Sequence, residues 1–508
     1  MDTLGLLLHG FAVASAPSML LYCFLGVTLG MFIGVLPGIG ALSGVAIILP
    51  LTFYIPAAES LVMLSGVYYG ALYGGSTAAI LLNLPGTPSA AVTALDGYPM
   101  AQQGRAGVAL FITTITSFFG GCFAIIALIL LAPPLAGMVA TFGAAEYFTM
   151  MLLGLVAAST VSVSSPLKNI AMVLLGLLLG VVGTDVNTGI ARFTFGNVNL
   201  LDGLSLVAIA MGLLGISEVL SKATEMYGRG GKGDAGASDY GGSVTFRSLI
   251  PTRKDLRAIS WPTARGALIG TGFGALPGAG GPVASFFSYA LEKRISRRPE
   301  TFGRGAIEGV AAPEAANNAA AQAAFIPTLT LGIPGDAIMA LMLGALILNG
   351  IQPGPGMLTQ HSDLFWGLVA SFWIGNVLLL ILNIPLIKVW VKILSIPYRY
   401  LYPAILVFAC IGVYSINNSM FDVYTLIVAA VFGYLLAMFG FSGAPLLLGF
   451  ILGPMIEVNL RRALLVSGGD FMIFVQRPIS AIFVACTLAL LATVLYVEVR
   501  RRLRARAA

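Results

Sequence analysis

The chain has 508 residues, 58% of them hydrophobic and only 9% charged, with a formal net charge of +6. Soluble globular domains carry about 25% charged residues, so this composition excludes a soluble enzyme or adaptor and defines a polytopic membrane protein. Satisfying the backbone within hydrocarbon then makes the fold all-α, and the positive balance, spread through loops beside apolar runs, reads as a topology signal and not as a nucleic-acid surface.

In chain order, MDTLGLLLHGFAVASAP lacks the positive start of a signal peptide and is expected to persist as a short interfacial helix. Residues 18–56 form an apolar run interrupted at GVLPGIG, 34–40, by Pro37-Gly38. A helix interior loses about 3 kcal/mol to Pro and about 1 kcal/mol to Gly, so the run is expected to enter the bilayer and return as a hairpin. Spans follow near 61–83, 106–132, 143–160, 168–183 and 204–221. The polar, Gly-rich segment 222–262 carries seven Lys and Arg residues and is assigned to the cytoplasm.

The next apolar run, 264–291, is interrupted by Leu276-Pro277-Gly278 and is followed by a second basic loop, 292–304. Two full spans need about 40 residues, so this run is also expected to be a hairpin. Further spans lie near 306–331, 365–391, 401–416, 421–440, 442–457 and 478–498, giving about 11–12 transmembrane helices plus the hairpins. Lys388, Lys392, Arg399 and the tail RRRLRAR fall inside on this count. Arg461, Arg462 and Arg477 fall outside, against the positive-inside trend.

The two interruptions are related. Gly26, Gly30, Gly34, Leu36, Pro37, Gly38 and Gly40 recur at a constant offset of 240 as Gly266, Gly270, Gly274, Leu276, Pro277, Gly278 and Gly280. A second Pro-Gly follows in each half, in NLPGTPSA at 83–90 and GIPGDAIM at 332–339. Five spans, an odd number, separate the hairpins, so the halves are expected to be two inverted structural repeats: 1–221, then the linker 222–262, then 263–457, with 458–508 as a C-terminal span and basic tail. Glycines four apart read as helix packing. The Pro-Gly breaks read as site-forming, with simple kinks as the alternative. Free N–H groups at half-helix starts suit a carboxylate, and freed carbonyls near Asn83 and Gly332 suit Na⁺.

Polar residues gather at the breaks. One group is Ser76, Asn83, Pro85, Gly86, Thr87 and Ser89; the other is Glu314, Asn317, Asn318, Pro334, Gly335 and Asp336. Carboxylates inside a membrane are costly and point to ion or proton coupling. Asp96, Arg105, Lys168 and the C-terminal arginines read instead as loop anchors. Four scattered cysteines and two isolated histidines give no disulfide framework and no zinc site. No cofactor is expected: GRGGKG at 228–233 lacks P-loop spacing, and the spans hold no HExxH and no Ser-His arrangement.

The segments GVTLGMFIGVLPGIG, YYGALYGGSTAAILLNLPGTPSAAVTALDGYPMAQQGRAG, GALPGAGGPVASFFSYALEKR, PEAANNAAAQAAFIPTLTLGIPGDAIMALMLGALILNGIQPGPGM and LRRALLVSGGDFMIFVQRPIS together resemble the large permease subunit of the tripartite tricarboxylate transporters, TctA. The resemblance implies a permease of the bacterial inner membrane working with a small membrane subunit (TctB-like) and a periplasmic solute-binding protein (TctC-like). Organic-acid uptake would be driven by a Na⁺ or H⁺ gradient, through elevator-like or rocking motion. Pro37-Gly38 and Pro277-Gly278 would be hairpin gates, and Asn83 to Ser89 with Gly332 to Asp336 would line the carboxylate and cation sites. No Lys or Arg stands beside these motifs, so substrate charge would be met by helix ends, hydroxyls and co-bound cations. A carrier without accessory subunits, a channel and an intramembrane enzyme are the competing classes.

Overall fold

The computed structural model describes residues 3–36, 40–85, 87–139, 141–161, 165–185, 188–228, 249–277, 280–393 and 398–507. Pro37, Gly38, Gly86 and Gly278 lie outside the described residues. Among the described residues the strands are one antiparallel pair, Gly183–Thr184 with Ala191–Arg192. All other regular structure is helical, and the protein is all-α and polytopic.

The first half holds α1 (Thr3–Ala14), α2 (Pro17–Val35), α3 (Ala41–Ile48), α4 (Ala57–Leu82), α5 (Pro88–Met100), α6 (Ala106–Val139), α7 (Ala144–Val161) and α8 (Pro166–Gly180). Beyond the small β pair, α9 (Leu206–Ala210) passes through a π turn, Met211–Ile216, into α10 (Ser217–Gly228). The second half holds α11 (Arg253–Gly274), α12 (Gly280–Ile295), α13 (Glu308–Ala323), α14 (Phe325–Leu331), α15 (Ala337–Leu348), α16 (Gly356–Thr359), α17 (Ser362–Asn383) and α18 (Ile387–Ile393). It closes with α19 (Tyr398–Asn417), α20 (Met420–Met438), α21 (Gly443–Val466), α22 (Ile473–Gln476) and α23 (Pro478–Ala507). Among the described residues six helical runs are long and apolar enough to cross a bilayer: Pro17–Val35, Pro88–Val139, Leu206–Thr224, Ser362–Asn383, Met420–Met438 and Gly443–Val466. Seven shorter apolar helices, each of 10–17 residues, accompany them.

Both LPG motifs separate two helices, as their composition requires: α2 ends at Val35 and α11 at Gly274, and helix resumes at Ala41 and Gly280. The second unit is longer than its apolar run. A capping box starts α11, with Thr252 Oγ1 accepting the Asp255 N–H at 3.2 Å and Asp255 Oδ2 accepting the Thr252 N–H at 3.0 Å. The linker assigned to 222–262 is therefore helical at both ends, up to Gly228 and again from Arg253. Charges hid that helix start from hydropathy. The boundary placed at 457 likewise falls inside α21, which continues to Val466.

Each half contains one of two matching seams. A Cβ on Gly26, Gly30 or Gly34 would lie 2.2–2.4 Å from the carbonyl oxygens of Met63, Val67 and Ala71 on α4. One on Gly266, Gly270 or Gly274 would lie 2.2–2.3 Å from those of Ala312, Ala316 and Ala320 on α13. Backbones touch there directly, as small residues at four-residue spacing allow. The receiving residues are offset by 249, and so are the caps that follow. Asn83 at φ 55° and Gly332 at φ 71° end their helices in the left-handed region. Thr87 and Asp336 then cap the next helices, accepting the N–H of Ala90 at 3.2 Å and of Met339 at 2.8 Å.

The loops gather at two ends. Toward the basic linker, Arg105 pairs with Asp255 at 2.8 Å, Gln103 donates to the Arg304 carbonyl at 2.8 Å, and Lys168 donates to the Phe439 carbonyl at 2.6 Å. Burial alone raises the Asp255 carboxyl, but the Thr252 N–H and hydroxyl and the Arg105 guanidinium outweigh it and hold the group below the usual 3.8. At the opposite end Arg192 pairs with Glu457 at 2.6 Å, Arg461 with Asp185 at 3.0 Å, and Arg477 with Glu146 at 3.0 Å. Asp96 is an anchor, but from inside α5 and fully buried. Its Oδ1 accepts the N–H groups of Gly303, Gly305 and Ala306, all at 2.8 Å, and its Oδ2 accepts the Tyr289 hydroxyl at 2.9 Å.

Candidate transport site at the helix breaks

α13 is Ala-rich, with Asn317, Asn318 and Glu314 within about one turn of one another. Small side chains let its neighbours come close: a Cβ on Gly120 of α6 would lie 2.3 Å from the Ala315 carbonyl. That closeness drives hydroxyls from three helices against one buried carboxylate. Ser76 of α4 donates to Glu314 Oε1 at 2.6 Å, Thr93 of α5 donates to the same oxygen, and Ser117 of α6 donates to Oε2 at 3.0 Å. Asn318 Nδ2 donates in turn to Ser117 Oγ at 2.7 Å and to the Glu314 carbonyl at 3.1 Å.

Asp336 stands at the second break, half-buried at the start of α15. Beyond its cap bond, its Oδ2 accepts the Tyr68 hydroxyl of α4 at 3.0 Å. The second arm of the α11–α12 unit begins beside it. A Cβ on Gly280 would sit 3.7 Å from the Asp336 Cβ, and one on Gly281 would sit 2.5 Å from Asn317 Oδ1. The first break is built differently. Thr87 and Ser89 hydroxyls lie 3.0 Å apart, Ser89 is buried, and Thr87 Oγ1 is 4.0 Å from where a Gly75 Cβ would be.

The structure thus joins Ser76, Glu314 and Asn318, places Asp336 and Asn317 beside Gly280 and Gly281 at the start of α12, and sets Thr87, with its neighbour Ser89, close to Gly75. Asn83 is exposed and Pro85 half-buried, away from both carboxylates' hydrogen bonds. Pro334 and Gly335 are buried, with the Gly335 N–H donating to Thr328 Oγ1 at 3.4 Å. Near Gly332, the carbonyls of Pro327 and Leu329 already accept the N–H groups of Ile333 at 3.3 Å and Gly354 at 3.1 Å. Pro277 borders an apolar cavity of about 470 Å³ with Leu276, Leu331 and Ile333, and meets neither carboxylate through a described hydrogen bond.

Tyr68, Thr93 and Ser117 were missed from sequence. Ser117 ends the run TTITS at 113–117, a visible signal, yet Thr113, Thr114 and Thr116 bond carbonyls three or four residues back on their own helix, the default for such hydroxyls. Among the described residues no Lys or Arg pairs with Glu314 or Asp336. A carboxylate of that kind, ringed by hydroxyl oxygens, can take a proton or present oxygen ligands to a monovalent cation.

A buried Glu314 and a half-buried Asp336 beside helix breaks in a polytopic helical protein are features of a membrane transporter. The chain belongs to the tripartite tricarboxylate transporter TctA family, whose model matches residues 20–448. It is 51% identical over 502 residues to an uncharacterized 52.8 kDa protein in the TAR-I ttuC' 3' region of Agrobacterium vitis, a match covering 99% of this chain and 98% of that protein. It is 60% identical over 212 residues to an uncharacterized protein in the TAR-II ttuC' 3' region of the same organism, covering 42% of this chain and 88% of that one. No solved structure matches it.

Proposed function

We propose that this chain is the permease of a binding-protein-dependent secondary transporter that imports tricarboxylates or related organic acids across the bacterial inner membrane. A Na⁺ or H⁺ gradient drives uptake by alternating access, with Glu314 and Asp336 as the cation-responsive groups. The observation that carries this reading is the Glu314 carboxylate, buried with three hydroxyl donors and no described cationic partner between two helix breaks. Burying a charge is costly unless it is compensated, and a coupling cation supplies that compensation. Anion affinity then rises once the cation is bound, which is coupling. The paired glycine seams and the left-handed caps at Asn83 and Gly332 support two structurally equivalent halves, which we take to be inverted. A TctB-like small membrane subunit and a TctC-like solute-binding protein complete the system.

The test is uptake of labelled carboxylates into proteoliposomes holding this chain and the small subunit, with and without an inward Na⁺ or H⁺ gradient and the binding protein. Accumulation above the outside concentration that requires both gradient and binding protein is expected. Accumulation without the binding protein identifies a self-sufficient carrier, and mere equilibration identifies a channel.

A further inference from the structure

A cavity of about 700 Å³ opens at the end opposite the basic linker, bounded by the start of α7, the 352–360 turn and the last turns of α21. Tyr147, Gln352, Gln360, Asn459 and Arg462 line it, and Leu331, the last residue of α14 before the Gly332 break, also borders it. The cavity therefore reaches the second break from outside the helix bundle.

Its charge balance is uneven. Arg192 and Arg461 share Glu457, each at 2.6 Å, Arg461 also holds Asp185 at 3.0 Å, and Arg477 holds Glu146 at 3.0 Å. Asp470 is turned to its own loop, accepting the Met472 N–H at 2.8 Å. Arg462 is exposed and has no ion pair or hydrogen bond among the described residues. One guanidinium without a described partner thus lines a cavity whose other polar side chains are neutral amides and a phenol, much of the remaining wall being apolar, with Phe142, Met151, Met455 and Leu465.

We propose that this cavity is an outer reception site for the substrate's carboxylate, with Arg462 as its charge partner and Gln352, Gln360 and Asn459 as hydrogen-bonding neighbours. The proposal rests on the organic-acid reading above and supplies the cationic group that the breaks themselves lack. A guanidinium fork matches a carboxylate bidentately. The neighbouring carbonyl end of α14 carries the negative pole of its helix. A carboxylate therefore rests against Arg462 and advances toward the break only with a cation alongside it.

The test uses proteoliposomes holding this chain and the small subunit, with Leu465→Cys, on the apolar part of the cavity wall, as a reporter and the chain with its native cysteines alone as baseline. The reporter is modified with the impermeant anion 2-sulfonatoethyl methanethiosulfonate, and citrate, succinate and benzoate are the probes. We expect at least one probe to slow modification several-fold when Arg462 is present, to lose that effect in Arg462→Gln, and to keep part of it in Arg462→Lys. Without the reporter, Arg462→Gln should raise the half-saturating concentration for uptake roughly tenfold, about 1.4 kcal/mol of binding, with the maximal rate little changed. Size-exclusion profiles of both variants report folding. Saturable uptake with no protection by any probe overturns the reception site and leaves the transport reading intact. Protection without uptake supports the site and removes the transport reading. Protection that appears only once the binding protein is added assigns Arg462 to that protein contact and overturns the proposal, as does the absence of both protection and uptake.

Discussion

Glu314 is held by three hydroxyls from three different helices, so its environment is polar without being cationic. Glu314→Gln keeps the size and removes the charge. Gradient-driven accumulation should then fall by at least about tenfold, the effect of roughly 1.4 kcal/mol, while the protein still folds, as uptake and size-exclusion measured together will show. Unchanged gradient dependence in that variant removes Glu314 from coupling. Ser117→Ala deletes one donor of three and leaves Asn318 Nδ2 with one partner fewer, which costs about 1–3 kcal/mol of stability and a smaller loss of uptake. Glu314 itself was legible in the sequence because a carboxylate in an apolar run stands out. Its hydroxyl partners were not, because Ser and Thr in a span satisfy themselves on their own helix by default. At the end toward the basic linker, Asp255 is held below its usual value, so its contribution to stability is present above about pH 4 and is lost as pH falls through the lower folded value. Arg105 is 39% exposed, so solvent screening keeps that contribution small. Thermal unfolding of wild type and Asp255→Asn should therefore differ slightly at neutral pH and converge in acid.

Helices meet backbone to backbone along the two seams, and there the sequence was read for what it was: glycines four apart meant close packing. Gly30→Val and Gly270→Val place side-chain carbon 2.4 and 2.2 Å from carbonyl oxygens that cannot step aside. Overpacking usually costs about 1–3 kcal/mol and occasionally more, and contacts this short on rigid backbone belong at the upper end or beyond. Both variants should lose their monodisperse size-exclusion peak, whereas Gly272→Ala, whose Cβ would meet nothing within 4 Å, should keep it. Helix boundaries were less legible than helix existence. The start of α11 lies at a Thr-x-x-Asp box among charges, and hydropathy places it eleven residues late, at 264 rather than 253. The left-handed cap at Asn83 is the mirror case: Asn tolerates that conformation, but the signal rested on Pro85 two residues later rather than on Asn83.

At the scale of the molecule, the two breaks differ in access. Leu84 beside the first is 42% exposed, whereas Ile333 beside the second is 2% exposed. Impermeant maleimide should modify Leu84→Cys much faster than Ile333→Cys in the absence of substrate, and a cation gradient with carboxylate should narrow the difference. Equal rates at rest mean that the resting protein adopts another arrangement. At the basic linker that the count of positive residues singles out, Arg105 of the first half pairs with Asp255 of the second. At 458–477, where that count sets Arg461 and Arg477 outside, both are ion-paired: Arg461 with nearby Glu457 and with Asp185, and Arg477 with Glu146, the last two being residues distant in sequence that no window could pair with them.

The glycine seams bear on how such a chain can change over generations. In an ordinary core, a side chain that grows on one helix is accommodated by one that shrinks on its neighbour. Opposite Gly30 and Gly270 the neighbour offers only a carbonyl oxygen, and a carbonyl has no smaller version. Drift at these positions is closed off singly and in pairs, so the spacing of six hydrogens fixes the distance between helices more firmly than any interlocking of larger groups could.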